Sequence, residues 1–174
     1  MFMTMGIGTI YFFTSTISDW HPLLFSDKLK QEIINSLEYL SDKNLINVYG
    51  FVIMPNHMHL IMEIVAMNGK EMPQASLLKY TSHQFKKIVP ETELELYKVV
   101  SHSREYQFWK KNSLAIELYS REILEQKLDY IHRNPVQGKW NLCDDYTAYP
   151  YSSVALYETG KSNFNFLQHY MDRI

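Results

Sequence analysis

Apolar and polar positions alternate along this chain with two different periods, and the changes of period mark its elements. Thr9 to Ile17 (TIYFFTSTI) is dense in β-branched and aromatic residues and predicts a first strand. After Pro22, Ser26 stands where a helix N-cap is expected, and Leu29, Ile33, Leu37 and Leu40 follow at helical spacing. NVYGFVIM and HMHLIMEIV are two strand-like runs separated by Pro55-Asn56, which predicts a β-hairpin. Residues 67–74 read as a loop and Ser76 to Val89 as a second helix. Its apolar side is Leu77, Leu78, Phe85, Ile88 and Val89, while Lys79, His83 and Lys86 share another face.

The stretch from Glu91 to Asn112 has no single period. ELELYKVV suits strand or helix, YQFWKK a short strand or buried turn, and IELYS an edge strand. A third helix, REILEQKLDYIHRN, begins after Ser120 and is limited by Pro135. Residues 141–174 are irregular and aromatic, with room for one short helix. Hairpins and helices without regular strand-helix alternation predict an α+β fold, an antiparallel sheet with helices packed against it. The length of 174 residues predicts one domain over 1–174, with its core at about 8–140.

Composition narrows the function classes. The single cysteine, Cys143, excludes an internal disulfide. MFMTMGIGTIYFF has no basic start and no small-residue cleavage site, and no apolar run reaches about eighteen residues. A cytoplasmic protein without a membrane partner is the expectation. A net charge of −2 argues against a protein that coats duplex DNA, so any nucleic-acid role must rest on a local basic patch.

Two constellations carry candidate chemistry. In the second hairpin strand, alternation sends Met58, Leu60, Met62 and Ile64 to one face and His57, His59, Ile61 and Glu63 to the other. Two imidazoles side by side on a rigid strand are able to chelate one divalent ion; the competing reading is two histidines on a solvated sheet face. Glu63 on the same face is a candidate for oxygen ligation or for orienting an imidazole. A histidine-triad nucleotide hydrolase is disfavoured because Ile61 occupies the position of a third histidine. In the third helix, Leu124, Leu128 and Ile131 form the apolar stripe. Tyr130 lies off it and shares a face with Asn134, Gln126 and Lys127. By spacing alone the better reading is an ordinary amphipathic helix with a half-buried Tyr, and the spacing does not identify a site.

Taken together, YGFVIMPNHMHLIMEI, QFWKKN, YIHRNPV and YPYSS resemble the REP-associated tyrosine transposases, from about Gly8 to about Tyr157. The resemblance implies a ferredoxin-like fold with the His-hydrophobic-His motif on a central strand and a nucleophilic tyrosine on a late helix. It implies that His57 and His59 bind Mg²⁺ or Mn²⁺, that Asn134 completes the metal site, and that Tyr130 attacks a DNA phosphodiester to leave a 5′-phosphotyrosine. The implied partner is single-stranded or hairpin DNA, with monomer and homodimer both open. NPVQGKW is one residue shorter than the family's usual continuation, and KNSLAIELYS lacks a frequent His-Pro; neither touches the histidine pair or the tyrosine. Lys79, His83, Lys86 and Lys87 are candidates for following a DNA backbone, and Lys127 for contacting the reacting phosphate. The alternatives are a hairpin-binding module that does not cut and a hydrolase of small phosphate esters.

Overall fold

A computed structural model of the chain describes residues 5–174; residues 1–4, part of the stretch checked above for a leader, lie outside it. Four strands form one sheet: β1 (Ile10–Thr16), β2 (Ile46–Met54), β3 (His57–Ile64) and β4 (Leu114–Glu117), in the order β2-β3-β1-β4. Every pairing is antiparallel. With α1 (Asp27–Asp42) between β1 and β2, and α2 (Pro73–Ile88) between β3 and β4, this is the βαββαβ arrangement of ferredoxin-like folds. The histidine strand is central, as expected. Three more helices follow: α3 (Glu91–Leu94), α4 (Arg121–Arg133) and α5 (Val154–Thr159). Among the described residues no helix is long and apolar enough to cross a membrane.

Period-two alternation does what it should in β1 and β3. Tyr11, Phe13, Met58, Leu60, Met62 and Ile64 enter one core, beneath α1 and α2. The opposite face is not left to solvent. Ile10, Phe12, Val52, Met54 and Ile61 form a second core with Leu124, Leu128 and Ile131 of α4. The sheet is therefore covered on both sides, and His59 and Glu63 are buried.

Strand β2 is not regular. Its register slips between Val48 and Gly50, so Ile46 and Val48 share a core with Phe51 and Ile53, while Tyr49 joins Val52 and Met54 on the other face. The extra residue changes parity within one strand, as a β-bulge does. Gly50 also serves the packing. A Cβ there would lie 2.6 Å from Leu128 Cδ2 and 3.2 Å from Ile131 Cδ1, so its absence lets α4 settle directly on β2.

Other boundaries shift for local reasons. α2 starts three residues earlier than expected, because Pro73 is tolerated in a first turn where its missing N–H is not needed. ELELYKVV resolves as α3 and a 3-10 turn over Glu95–Tyr97. YQFWKK becomes a buried crossing in which Trp109 bridges Ile17 and its indole donates to Thr81 Oγ1 at 2.9 Å. The C-terminal segment is irregular but tied to the sheet: Tyr149 Oη donates to the Ile53 carbonyl, Ile53 N–H to the Tyr151 carbonyl, and Ser152 bridges Val52.

Candidate active site

The site lies where α4 packs across β2 and β3. Ser120 caps α4, its hydroxyl accepting from the Ile123 N–H at 3.3 Å. The Leu124, Leu128 and Ile131 stripe then seats the helix on the sheet, which turns the Tyr130 face toward the strand that carries the histidines. Near the helix end, the buried His132 ring nitrogen Nε2 shares a hydrogen bond of 2.9 Å with Ser153 Oγ, and Ser153 is itself bonded to the Phe51 backbone. That tie anchors α4 to β2 independently of the apolar stripe.

The three principal candidates come together. The His57 and His59 ring centroids are 4.7 Å apart, and the Tyr130 ring stands 5.5 Å from His59 at 65°. Tyr130 is 44% exposed, so its ring reaches both the site and solvent. Lys127 also belongs here: its Nζ lies 5.0 Å from the Phe12 ring centroid and 5.9 Å from that of Tyr130. Asn134 follows one turn after Tyr130 as the half-buried C-cap of α4, and makes no side-chain hydrogen bond to either imidazole among the described residues.

Three residues that the sequence reading did not single out complete the site. Phe12 stacks on His59 at 5.0 Å and 21°, and meets Tyr130 edge-on at 6.1 Å. Thr14, directly opposite His59 in the β1–β3 ladder, places its hydroxyl 2.7 Å from His59 Nδ1. Asn56 in the hairpin turn places Oδ1 2.7 Å from His57 Nδ1. Phe12 and Thr14 alternate correctly for one face of β1, but only the register shows which histidine they meet.

These contacts decide the state of the imidazoles. A carboxamide oxygen only accepts, so His57 Nδ1 carries the proton and its Nε2 presents a lone pair. His59 Nε2 is buried without a partner. A bare nitrogen there costs less than an orphaned N–H, which favours the form in which Nδ1–H donates to Thr14. Burial holds both rings neutral: desolvation lowers His57 to about 4, and desolvation, then the neighbouring His57 and Lys127, lower His59 to about 3. Two neutral imidazoles, each with a free Nε2, suit a divalent cation, which binds deprotonated ligands.

Glu63 is a correction to the expectation for that strand face. Its carboxylate accepts from Tyr49 Oη at 2.7 Å and forms a two-pronged ion pair with Arg173, 110 residues away. These contacts engage it with the C-terminal segment, and it makes no hydrogen bond to either imidazole among the described residues. Among the described residues no group of three or more His, Cys, Asp or Glu is gathered where it would hold a metal ion.

The basic residues of α2 sit elsewhere. α2 covers the other face of the sheet, and Lys79, His83 and Lys86 line a groove there, while Lys87 is exposed and outside it. The structure does not bring these four to the histidine–tyrosine centre.

No protein-family model matches the chain. A Haemophilus influenzae protein named "Putative REP-associated tyrosine transposase" is 25% identical over 147 residues, 84% of this chain and 80% of the relative. In sequence the chain is similar to a protein named for the REP-associated tyrosine transposases. A solved structure described as the REP-associated tyrosine transposase bound to a REP hairpin superposes with a TM-score of 0.59, at 18% identity, over 86% of this chain and 79% of that one. That likeness establishes the shared α+β fold.

Proposed function

We propose that this chain cuts and rejoins single-stranded DNA beside hairpins or palindromic repeats, with Tyr130 as nucleophile. The observation that carries the reading is the Tyr130 ring 5.5 Å from His59 within one chain, on a helix held rigidly to the sheet. A hairpin substrate is supported by the REP hairpin held by the structural relative.

The chemistry follows from the residues. The Tyr130 phenol loses its proton to solvent as its oxygen attacks phosphorus, the bond from phosphorus to the 3′ oxygen breaks, and that oxygen takes up a proton as a free 3′-hydroxyl. The DNA 5′ end is left as a phosphotyrosine ester. Because the ester is conserved, a later 3′-hydroxyl attacks it, restores Tyr130 and joins strands without ATP. The half-exposed ring requires a strand whose backbone bends to it, which single-stranded DNA does and a closed duplex resists. The Lys127 ammonium, between Phe12 and Tyr130, is placed to offset negative charge at the phosphate.

Mg²⁺ or Mn²⁺ would be held by His57 and His59, with Asn134 as the oxygen ligand, and would supply Lewis-acid polarisation of a non-bridging phosphate oxygen. Asn56 and Thr14 fix the ring orientations such an ion needs. All these residues lie in one chain, which supports a centre complete in the monomer.

The test is an oligodeoxynucleotide with a hairpin and a labelled single-stranded flank, incubated in Mn²⁺ and resolved under denaturing conditions. A covalent adduct forms with the wild type and is absent with Tyr130→Phe. An adduct that persists in that variant removes Tyr130 as nucleophile. Hairpin binding with no adduct in any divalent metal establishes the non-cutting module instead.

A further inference from the structure

The groove on the α2 side belongs to no part of the chemistry above. It encloses about 690 Å³ between Lys79, His83 and Lys86 of α2 and the segment 103–111, over Leu78, Phe108 and Trp109. Lys79, Lys86, Arg104, Lys110 and Lys111 line it against one carboxylate, Glu105. A local excess of four positive charges is a strong asymmetry in a chain of net charge −2.

Pairing does not account for that excess. Lys86 meets Glu105 at 3.0 Å and Lys79 meets Glu71 at 3.6 Å. Arg104, Lys110 and Lys111 form no ion pair among the described residues. Like charges gathered in a concave surface repel one another and concentrate field toward a polyanion. The helix face contributes its cations at i and i+7 and the loop contributes its own across the gap. The groove thus presents two facing rows, the form that tracks a phosphate backbone.

The loop that edges the groove is joined to strand β1. The Lys110 N–H donates to the Thr16 carbonyl at 2.8 Å, and Thr16 is paired with His57 across the β1–β3 ladder. Two strand spacings, roughly 10 Å, separate the Lys110 backbone from the His57 backbone, with the groove and the imidazoles on opposite faces of the sheet. A strand that leaves the tyrosine centre reaches the groove by passing around this end of the sheet.

We infer that this groove holds the phosphate backbone of the bound DNA beyond the cleavage point, with Arg104, Lys110 and Lys111 as its principal contacts. The inference rests on the DNA reading above and assigns a place to the part of the substrate that is not cut. Each phosphate contact removed lowers the salt dependence of binding by about 0.7 to 0.9 in the log–log slope.

The experiment measures anisotropy of a fluorescein-labelled DNA hairpin with a single-stranded flank against salt concentration. The full-length wild type is compared with the triple variant R104Q/K110Q/K111Q, and with R104K/K110R/K111R, which keeps the charges. A third variant, K28Q/K43Q/K161Q, removes the same charge from exposed positions elsewhere. In the groove variant the slope falls by about 2 to 3, and affinity near 0.1 M salt falls on the order of 100-fold. The charge-keeping and remote variants stay close to wild type. Equal losses in the groove and remote variants overturn the groove while leaving the Tyr130 chemistry intact. A groove-specific loss together with an adduct that survives Tyr130→Phe upholds the groove and sinks the nucleophile. No salt-dependent binding by the wild type overturns both.

Discussion

Replacing Gly50 by alanine adds one methyl group far from any reacting atom, and the structure converts it into a defect at Tyr130. The new Cβ would lie 2.6 Å from Leu128 Cδ2 and 3.2 Å from Ile131 Cδ1, both on α4. Ordinary contact begins near about 3.4 Å, so relief takes a shift of close to 1 Å, shared between the Leu128 side chain and the helix. Leu128 and Ile131 are themselves buried, which leaves them little room to turn away. Overpacking of this kind costs about 1–3 kcal/mol. Tyr130 sits between those two residues on the same helix, and a misplacement of about 1 Å at a reacting group costs on the order of 100-fold in rate. The assay pairs urea unfolding with the single-turnover rate of adduct formation, measured where both proteins are fully folded. A cycle with Leu128→Ala isolates the contact. Alone, that truncation costs about 2–5 kcal/mol, but in the Gly50→Ala background it opens space for the methyl, so the double variant loses less than the sum. If the two losses add, or if Gly50→Ala changes neither stability nor rate, α4 is not seated through Gly50 and the positioning argument fails.

Two further outcomes follow from the buried histidines. Burial lowers His57 to about 4, His59 to about 3 and His132 to about 4, while an unfolded chain protonates its histidines near 6.5. Between about pH 6.5 and 4 the unfolded state binds more protons, so stability is lost as pH falls, by up to about 1.4 kcal/mol per pH unit for each histidine. Urea midpoints should drop steeply from pH 7.5 to 5; a flat profile would mean the rings are not buried neutral. Separately, Thr14→Val removes the hydroxyl 2.7 Å from His59 Nδ1 while preserving shape. Mn²⁺ affinity by calorimetry should fall about 10- to 100-fold, as loss of a partner that orients a ligand does. Unchanged affinity would show that Thr14 does not set the ring.

Much of this protein was legible from periods of two and three to four residues, because those report on chain neighbours. Alternation in HMHLIMEI separated the Met58–Leu60–Met62–Ile64 face from the histidine face, and the structure keeps that division. The stripe of α4 likewise left Tyr130 outside the apolar contact, and the motifs YGFVIMPNHMHLIMEI and YIHRNPV pointed to the family.

What the periods did not contain are contacts between residues distant in sequence. Whether the histidine face met water or a second core depended on α4 docking there, and that docking buries His59 and keeps it neutral. Strand register alone brought Thr14 to His59, and a one-residue bulge at Gly50, invisible in an evenly apolar run, reset the parity of β2. Glu63 looked free for a metal until Arg173 arrived from the other end of the chain. Local sequence determines which side chains share a face. Which faces meet is decided by how much apolar surface the whole molecule can bury at once, and the site exists only after that choice.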